Sequence, residues 1–379
     1  MINSDILINS KTPFYYYDID LLNRTLECIQ SEANKYDFNI HYAIKANSNT
    51  KILKHISSFG FGADCVSANE IEQSIQCGFN PNSIVYAGVG KADWEIELAI
   101  NNNIQCFNCE SIPEIEIINE IALKMNKKVD IAIRINPNID AKTHKYITTG
   151  IEDSKFGINF NEIDTVLETI KKLRNLNLIG LHFHIGSQIT NMNVFMDLCL
   201  RINEINKIIN DKGIFLKSIN VGGGLGVDYD NPENNIPDFK LYFSIFNQYL
   251  NKAKGQSIHF ELGRSIVANC GTLISKVLYV KESANKKFAI LDAGMNDLLR
   301  PALYNAKHKI LNLSSKDKLE KYDIVGPVCE SSDCFGKDIM INKTSRNNYI
   351  AIKSTGAYGE SMASRYNLRN LTNVVFSDN

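Results

Sequence analysis

Cys329 stands directly before Glu330 in the run GPVCESSDCFGKD (326–338), with Ser331, Ser332 and Asp333 behind them. The run has no helical or strand periodicity, so it reads as a loop that sets a thiol beside an acid. Four other ionisable residues, Lys45, Arg134, His184 and Glu261, fall at or near the ends of short β-rich runs. Each alone could be a solvated strand end. Four convergent groups from different strands point instead to chemistry at one mouth of a fold. Gly222, Gly223 and Gly224 close another run, followed by Leu225 and Gly226. Backbone N–H groups stripped of side chains can cradle a phosphate, although a tight turn explains the glycines equally well. The spacing misses the dinucleotide fingerprint, because Val227 stands where its last glycine belongs, and there is no P-loop GK[ST]. HIGSQ (184–188) adds the Ser187 hydroxyl, and ELGR (261–264) adds Gly263 and the Arg264 guanidinium.

A lysine at a strand end that faces a phosphate site can form a Schiff base with pyridoxal phosphate. Such a cofactor needs an acid for its pyridine nitrogen, for which Glu261 is the candidate. It also needs a flat group against its ring, for which His184 is the candidate. The bland alternative for Lys45 is a salt bridge across the mouth. The rival chemistry is a metal site, since His182 and His184 form an HxH pair that His259 and Asp64 could complete. Lys45 and Arg134 would then put two cations beside the metal. Cys106 and Cys109 form a CxxC, but positions three apart on a strand face opposite ways, so they are expected to be packing residues.

These residues need elements to position them. Eight β-rich runs recur between residues 39 and 263: NIHYAIKA, GFGADCV, SIVYAGV, IQCFNC, VDIAIRIN, LIGLHFHIG, SINVGGG and SIHFELG. Helix-like stretches such as 67–77 and 193–210 separate them. Eight strands alternating with helices predict an α/β fold, a TIM-type (β/α)8 barrel over 21–262. Alternation puts Ile131, Ile133 and Ile135 on one face and Ala132 and Arg134 on the other. In the same way Leu181, Phe183 and Ile185 oppose His182 and His184. Residues 136–157 are expected to form an extended loop after the fifth strand. From about 264 onward the runs are strand-like with few helices between them, which predicts a second, all-β domain over 263–379. The first twenty residues, with TPFYYYD, are expected to add a strand to it.

The 379 residues suffice for two domains, and 44% apolar with 22% charged residues is ordinary for a soluble chain. A net charge of −1 gives no reason to expect nucleic-acid binding. No apolar run approaches the ~20 residues that cross a bilayer, and no basic-then-apolar leader opens the sequence. Nine cysteines, an odd number without framework spacing, fit reduced thiols in a cytoplasm.

With these residues in place, the chain resembles the fold-III pyridoxal-phosphate-dependent decarboxylases, and among them the diaminopimelate decarboxylase family. The resemblance runs through YAIKAN (42–47), GADCVSANE (62–70), NPNIDAKTHKYITTG (136–150), HIGSQ, GGGLG (222–226), ELGRSIVAN (261–269), DAGMNDLLRPALYNA (292–306), GPVCESSD (326–333) and GAYGESMASRYN (356–367). It implies an alanine-racemase-like barrel with a β-domain, acting as a homodimer with shared active sites. It implies pyridoxal phosphate held by Lys45, with Asp64, Arg134, His184, Ser187, Gly223, Gly224, Glu261, Gly263, Arg264 and Tyr358 around it. It implies removal of the D-centre carboxylate of meso-diaminopimelate. Cys329 would return the proton, and Glu330, Arg264, Arg300, Tyr304 and Tyr358 would read the substrate's distal end. A free thiol, with an ordinary pKa of about 8.5, holds its proton at neutral pH yet gives it up readily.

Ornithine decarboxylases of the same fold carry Asp after the cysteine and lack the RPALY arginine. A metal-dependent barrel hydrolase and a catalytically silent relative that binds partners are the readings from other classes. Three departures from the family pattern stand out. Leu262 replaces the usual proline of EPGR, Asp228 stands where proline is common, and the chain stops short of the expected closing strand and helix.

Overall fold

The structure, a computed structural model, describes residues 4–139, 155–234 and 236–378. The expected loop at 136–157 therefore lies mostly outside the described residues. The chain divides into two units. One comprises Leu26–Gly226 and Asp238–Gly263, and the other takes the segment to Thr25, Val227–Pro237 and Arg264–Asn379. Residues 227–237, inside the barrel span by strand counting, group with the second unit.

In the first unit each of the eight runs forms a strand: Phe38–Ala43, Gly62–Cys65, Ile84–Tyr86, Cys106–Cys109, Val129–Asn136, Leu176–His182, Ser218–Asn220 and Ser257–Leu262. All pair in parallel, and the eighth returns to the first with Phe260 opposite Ile40 and Glu261 opposite His41, which closes the barrel. A two-residue strand, Ile158–Asn159, adds beside the fifth.

Local sequence explains the intervening helices. Ser67 and Ser111 each follow a strand by two residues. Each hydroxyl accepts the N–H of the residue three on, Glu70 and Glu114, to cap helices Ala68–Gln76 and Ile112–Lys124. Helix Asn193–Asp211 buries Phe195, Leu198, Cys199, Ile202, Ile205 and Ile209, a helical-period stripe. Outward-facing strand residues pack on such stripes. Phe260 meets Phe246 edge-on at 4.9 Å between ring centres and Phe243 at 5.0 Å. Each such pair contributes about 0.5–1.5 kcal/mol beyond its buried area. The inward face carries a small apolar layer of Val85, Cys106, Ala132 and Ile179. It also carries a hydrogen-bonded imidazole pair, His41 Nε2 to His259 Nδ1 at 2.8 Å.

In the second unit, Phe14–Tyr17 pairs antiparallel with Gly271–Glu282, so the N-terminal segment does supply a strand. Its other side pairs in parallel with Asn373–Phe376. The rest of the sheet runs Ile310–Asn312, Tyr349–Ile352, Gly271–Glu282, Lys287–Leu291, Leu319–Val325 and Cys334–Asn342, mostly antiparallel. The unit is not all strand. Short helices at Ser4–Asn9, Arg264–Val267 and Arg300–Tyr304 interrupt it, the last with Pro301 in its first turn, where a missing N–H is tolerated.

Two sequence departures have local accounts. Asp228 accepts the N–H groups of Asp230 and Asn231 at 3.0 and 2.9 Å, so its carboxylate builds the turn that proline would otherwise bias. Leu262 is buried and continues the eighth strand opposite Tyr42.

Candidate active site

Lys45 lies in a single 3-10 turn, Ile44–Ala46, immediately beyond the first strand rather than on it. Its side chain is 38% exposed, and Nζ sits 3.2 Å from Oδ2 of the fully buried Asp64 on the second strand. Burial, and then the charge of Glu261, raise the Asp64 carboxyl to about 6, with Lys45 opposing. Its other oxygen, Oδ1, is buried without a hydrogen-bond partner among the described residues. A Cβ on Gly263 would press on Ala43 and Ala46, on either side of Lys45.

Glu261, on the eighth strand, is held from three sides. Its Oε1 accepts from Nδ2 of Asn220 at 2.8 Å and of Asn108 at 3.3 Å, and its Oε2 meets Nε2 of His182 at 3.0 Å. Burial alone would raise this carboxyl. The charge and hydrogen bond of His182, with the charge of Lys45, more than offset burial and hold it below the ordinary range. Glu261 is therefore an anion fixed inside the barrel.

His184 lies two residues past the sixth strand. Burial, then the charges of Arg134 and Lys45, push its imidazole well below the ordinary value and keep it neutral. Its Nδ1 accepts the Gly223 N–H at 3.3 Å, which ties the ring to the glycine loop. Gly224 has φ of +108°, and a Cβ on Gly223 would strike the carbonyl oxygen of Glu261. The loop holding Ser187 is zipped to the same glycines, with Ile189 N–H donating to Gly224 O at 2.8 Å and Gly226 N–H to Ile189 O at 2.9 Å. Arg134 lies two residues before the end of the fifth strand. It donates through Nη1 to Glu110 Oε1 at 2.6 Å and lies over the Phe156 ring at 4.9 Å.

His182 thus supports a carboxylate rather than a metal, and His259 pairs with His41. Among the described residues no group of three or more His, Cys, Asp or Glu could hold a metal ion. Cys106 and Cys109 are buried free thiols. Asn108, Asn220 and Glu110 escaped the sequence reading. Alternation could have found Asn108, which shares the inward face with Cys106. Glu110 lies just beyond the fourth strand, with no periodic signal.

In the second unit, Arg264 Nη1 donates to the Tyr229 hydroxyl at 2.7 Å, and its guanidinium lies 4.8 Å from the Tyr358 ring centre. Arg300 lies over the other partner ring, Tyr229, also at 4.8 Å, and Tyr304 sits on the same short helix as Arg300. Two guanidinium groups therefore share one tyrosine. Cys329 and Glu330 are exposed on an irregular loop, as expected. Asp333 anchors that loop by accepting the N–H groups of Val328 and Met295 at 2.6 and 2.7 Å. Burial raises its carboxyl, and those backbone donors oppose the rise. From the GAYGESMASRYN run, the Tyr366 hydroxyl donates to Glu330 Oε1 at 2.6 Å, and Asn367 Oδ1 accepts the Cys329 N–H at 3.4 Å.

The family description "Pyridoxal-dependent decarboxylase, pyridoxal binding domain" matches residues 20–268. A diaminopimelate decarboxylase of Bacteroides thetaiotaomicron is 53% identical over 370 residues, covering 97% of this chain and 96% of its own. That of Helicobacter pylori J99 is 44% identical over 363 residues, covering 95% and 88%. The crystal structure of diaminopimelate decarboxylase from Helicobacter pylori complexed with L-lysine superimposes with a TM-score of 0.94 at 42% identity, covering 99% of this chain and 94% of that one. An accessible amine, a fixed carboxylate, a neutral imidazole and a glycine cradle thus occur in a chain that aligns nearly end to end with such enzymes, and the chain belongs to the pyridoxal-dependent decarboxylases, in the diaminopimelate decarboxylase family.

Proposed function

We propose that this chain decarboxylates meso-2,6-diaminopimelate to L-lysine and CO2, the last step of lysine biosynthesis, with pyridoxal 5'-phosphate as cofactor. The observation that carries the reading is Glu261, an inward carboxylate hydrogen-bonded by Asn108, Asn220 and His182 and kept ionised by His182 and Lys45, in the same barrel as the solvent-accessible amine of Lys45. The residues fit the cofactor. Lys45 would hold it covalently, and the Glu261 anion would keep a proton on its ring nitrogen. The neutral His184 ring would pack against it. Gly223, Gly224 and Gly263, bare of Cβ atoms, would admit its phosphate end close to the backbone, with Ser187, Arg264 and Tyr358 as donors. Asp64 and Arg134 would orient Lys45 and the ring substituents. Once bound, pyridoxal phosphate supplies the electron sink for the pair left when CO2 departs.

The chain's own residues then finish the reaction. The Cys329 thiol gives its proton to Cα. Glu330 reads the distal ammonium, and Arg264, Arg300, Tyr304 and Tyr358 read the distal carboxylate and its surroundings. Ornithine lacks that carboxylate, so Arg300 speaks for the longer substrate. We read the working form as a cytoplasmic homodimer with shared active sites, in which Cys329 and Glu330 complete the site of the partner. Free thiols at all nine cysteines agree with a reducing compartment.

Absorbance and turnover test this together. The purified protein should be yellow, Lys45→Ala should lose the colour, and meso-diaminopimelate should yield CO2 where ornithine does not. CO2 from ornithine alone would overturn the substrate.

A further inference from the structure

Arg300 is 5% exposed, and no carboxylate holds it among the described residues. Burial acts on it first, then the charges of Tyr229, Arg264 and Tyr358 and a hydrogen bond to Tyr229. Its Nε is buried with no hydrogen-bond partner among the described residues. A buried cation with no anion and an idle donor is costly in a finished protein, and it marks a place where an anion arrives. One side of the guanidinium is nevertheless built with care. Asn305, in a left-handed conformation at φ +52°, ends the helix Arg300–Tyr304 and turns the chain back, with its N–H donating to the Arg300 carbonyl. The returning segment presents His308, which is 7% exposed. Its Nδ1 lies 2.8 Å from the Lys353 carbonyl, and its Nε2 lies 2.9 Å from Arg300 Nη1.

These contacts assign the tautomer. A carbonyl can only accept, so Nδ1 carries the hydrogen. Arginine can only donate, so Nε2 offers its lone pair. Burial first, and the Arg300 charge second, hold the ring neutral at about 3, as an acceptor must be. The ring also packs edge-on against Tyr229, at 5.1 Å between centres, while Tyr229 underlies Arg300. The guanidinium is thus fixed in plane by His308 and in tilt by Tyr229, with Nε left over.

We propose that His308 is a positioning residue for substrate specificity. It holds Arg300 so that the unspent Nε edge receives a carboxylate on the distal end of the substrate. This rests on the reading of Arg300 given above, and the experiment separates the two.

L-lysine and cadaverine share a diamine chain and differ by one carboxylate, so their inhibition constants against the holoenzyme isolate recognition of that group. His308→Leu removes the acceptor, and His308→Asn keeps a polar group too short to reach Arg300. Either should weaken L-lysine by about 10-fold or more, the scale of one hydrogen bond to a charged group, while cadaverine changes by less than about 2-fold. His308→Gln, whose side-chain carbonyl can reach Nη1, should keep L-lysine within about 3-fold of the parent. Equal loss of both ligands would mean a merely structural role and overturn the inference, as would no loss of either. Arg300→Gln is the control. If it leaves the L-lysine to cadaverine ratio unchanged, the reading of Arg300 itself fails. If it collapses the ratio while the Leu and Asn variants at position 308 do not, only the role of His308 fails.

Discussion

Deleting the Glu110 carboxylate tests how the barrel holds Arg134. The two side chains are 2% and 8% exposed, and Oε1 lies 2.6 Å from Arg134 Nη1. The second oxygen accepts the Gly157 N–H at 2.7 Å. At an effective dielectric of about 20, unit charges at this separation attract by about 6 kcal/mol, much of which the cost of desolvating them cancels. The truncated protein keeps the desolvation cost of the guanidinium without the attraction, so Glu110→Ala should lose about 3–5 kcal/mol. For a folding unit of 150–250 residues, each kcal/mol moves Tm by about 2–4 °C, so the expected drop is roughly 6–20 °C. Thermal unfolding followed by circular dichroism reads it directly. Arg134→Met in the Glu110→Ala background removes the stranded charge and should recover part of the loss. A drop below about 3 °C, or a double variant no more stable than Glu110→Ala, would refute the argument, because no stranded cation would then exist.

Two further perturbations follow from the same site. The Asp64 carboxyl is raised to about 6 by burial and then by Glu261. A raised acid binds its proton more tightly in the folded state, so its stabilisation is full below about pH 4 and is lost as pH rises through 6. The loss amounts to about 3 kcal/mol, and the Tm advantage of cofactor-free Asp64→Asn over the parent should grow from pH 4 to pH 7. A difference that does not vary with pH would dismiss this account. Cys329→Ala should retain the yellow colour and lose about 10²–10⁴ in turnover, the scale of one proton-transfer group. Unchanged turnover would remove Cys329 from the reaction.

Alternation along a strand is a local property, so the sequence alone marks the eight strands and the inward path of Arg134, His182, His259 and Glu261. Glycines 222–224 and the thiol–acid pair are equally local. Lys45 and His184 show the limit of the method. Their motifs are plain, yet one sits on a 3-10 turn and the other past its strand, because a periodic pattern does not mark where pairing stops.

The partners of these residues lie beyond local reach. Asn108 and Asn220 meet Glu261 across 153 and 41 residues, and Glu110 meets Arg134 across 24. Pairing of neighbouring strands and closure of the barrel together make these contacts. Folding back of the chain likewise brings His308 to Arg300, Asp333 to the N–H groups under Cys329, and Asn373–Phe376 beside Phe14–Tyr17. The sequence by itself determined which side chains are chemically able and which way its strands face. Only the tertiary structure decided which carboxylate is ionised, which imidazole is neutral and which guanidinium keeps a donor free. Those properties belong to burial and to neighbours distant in the chain, and they exist only once those neighbours are in place.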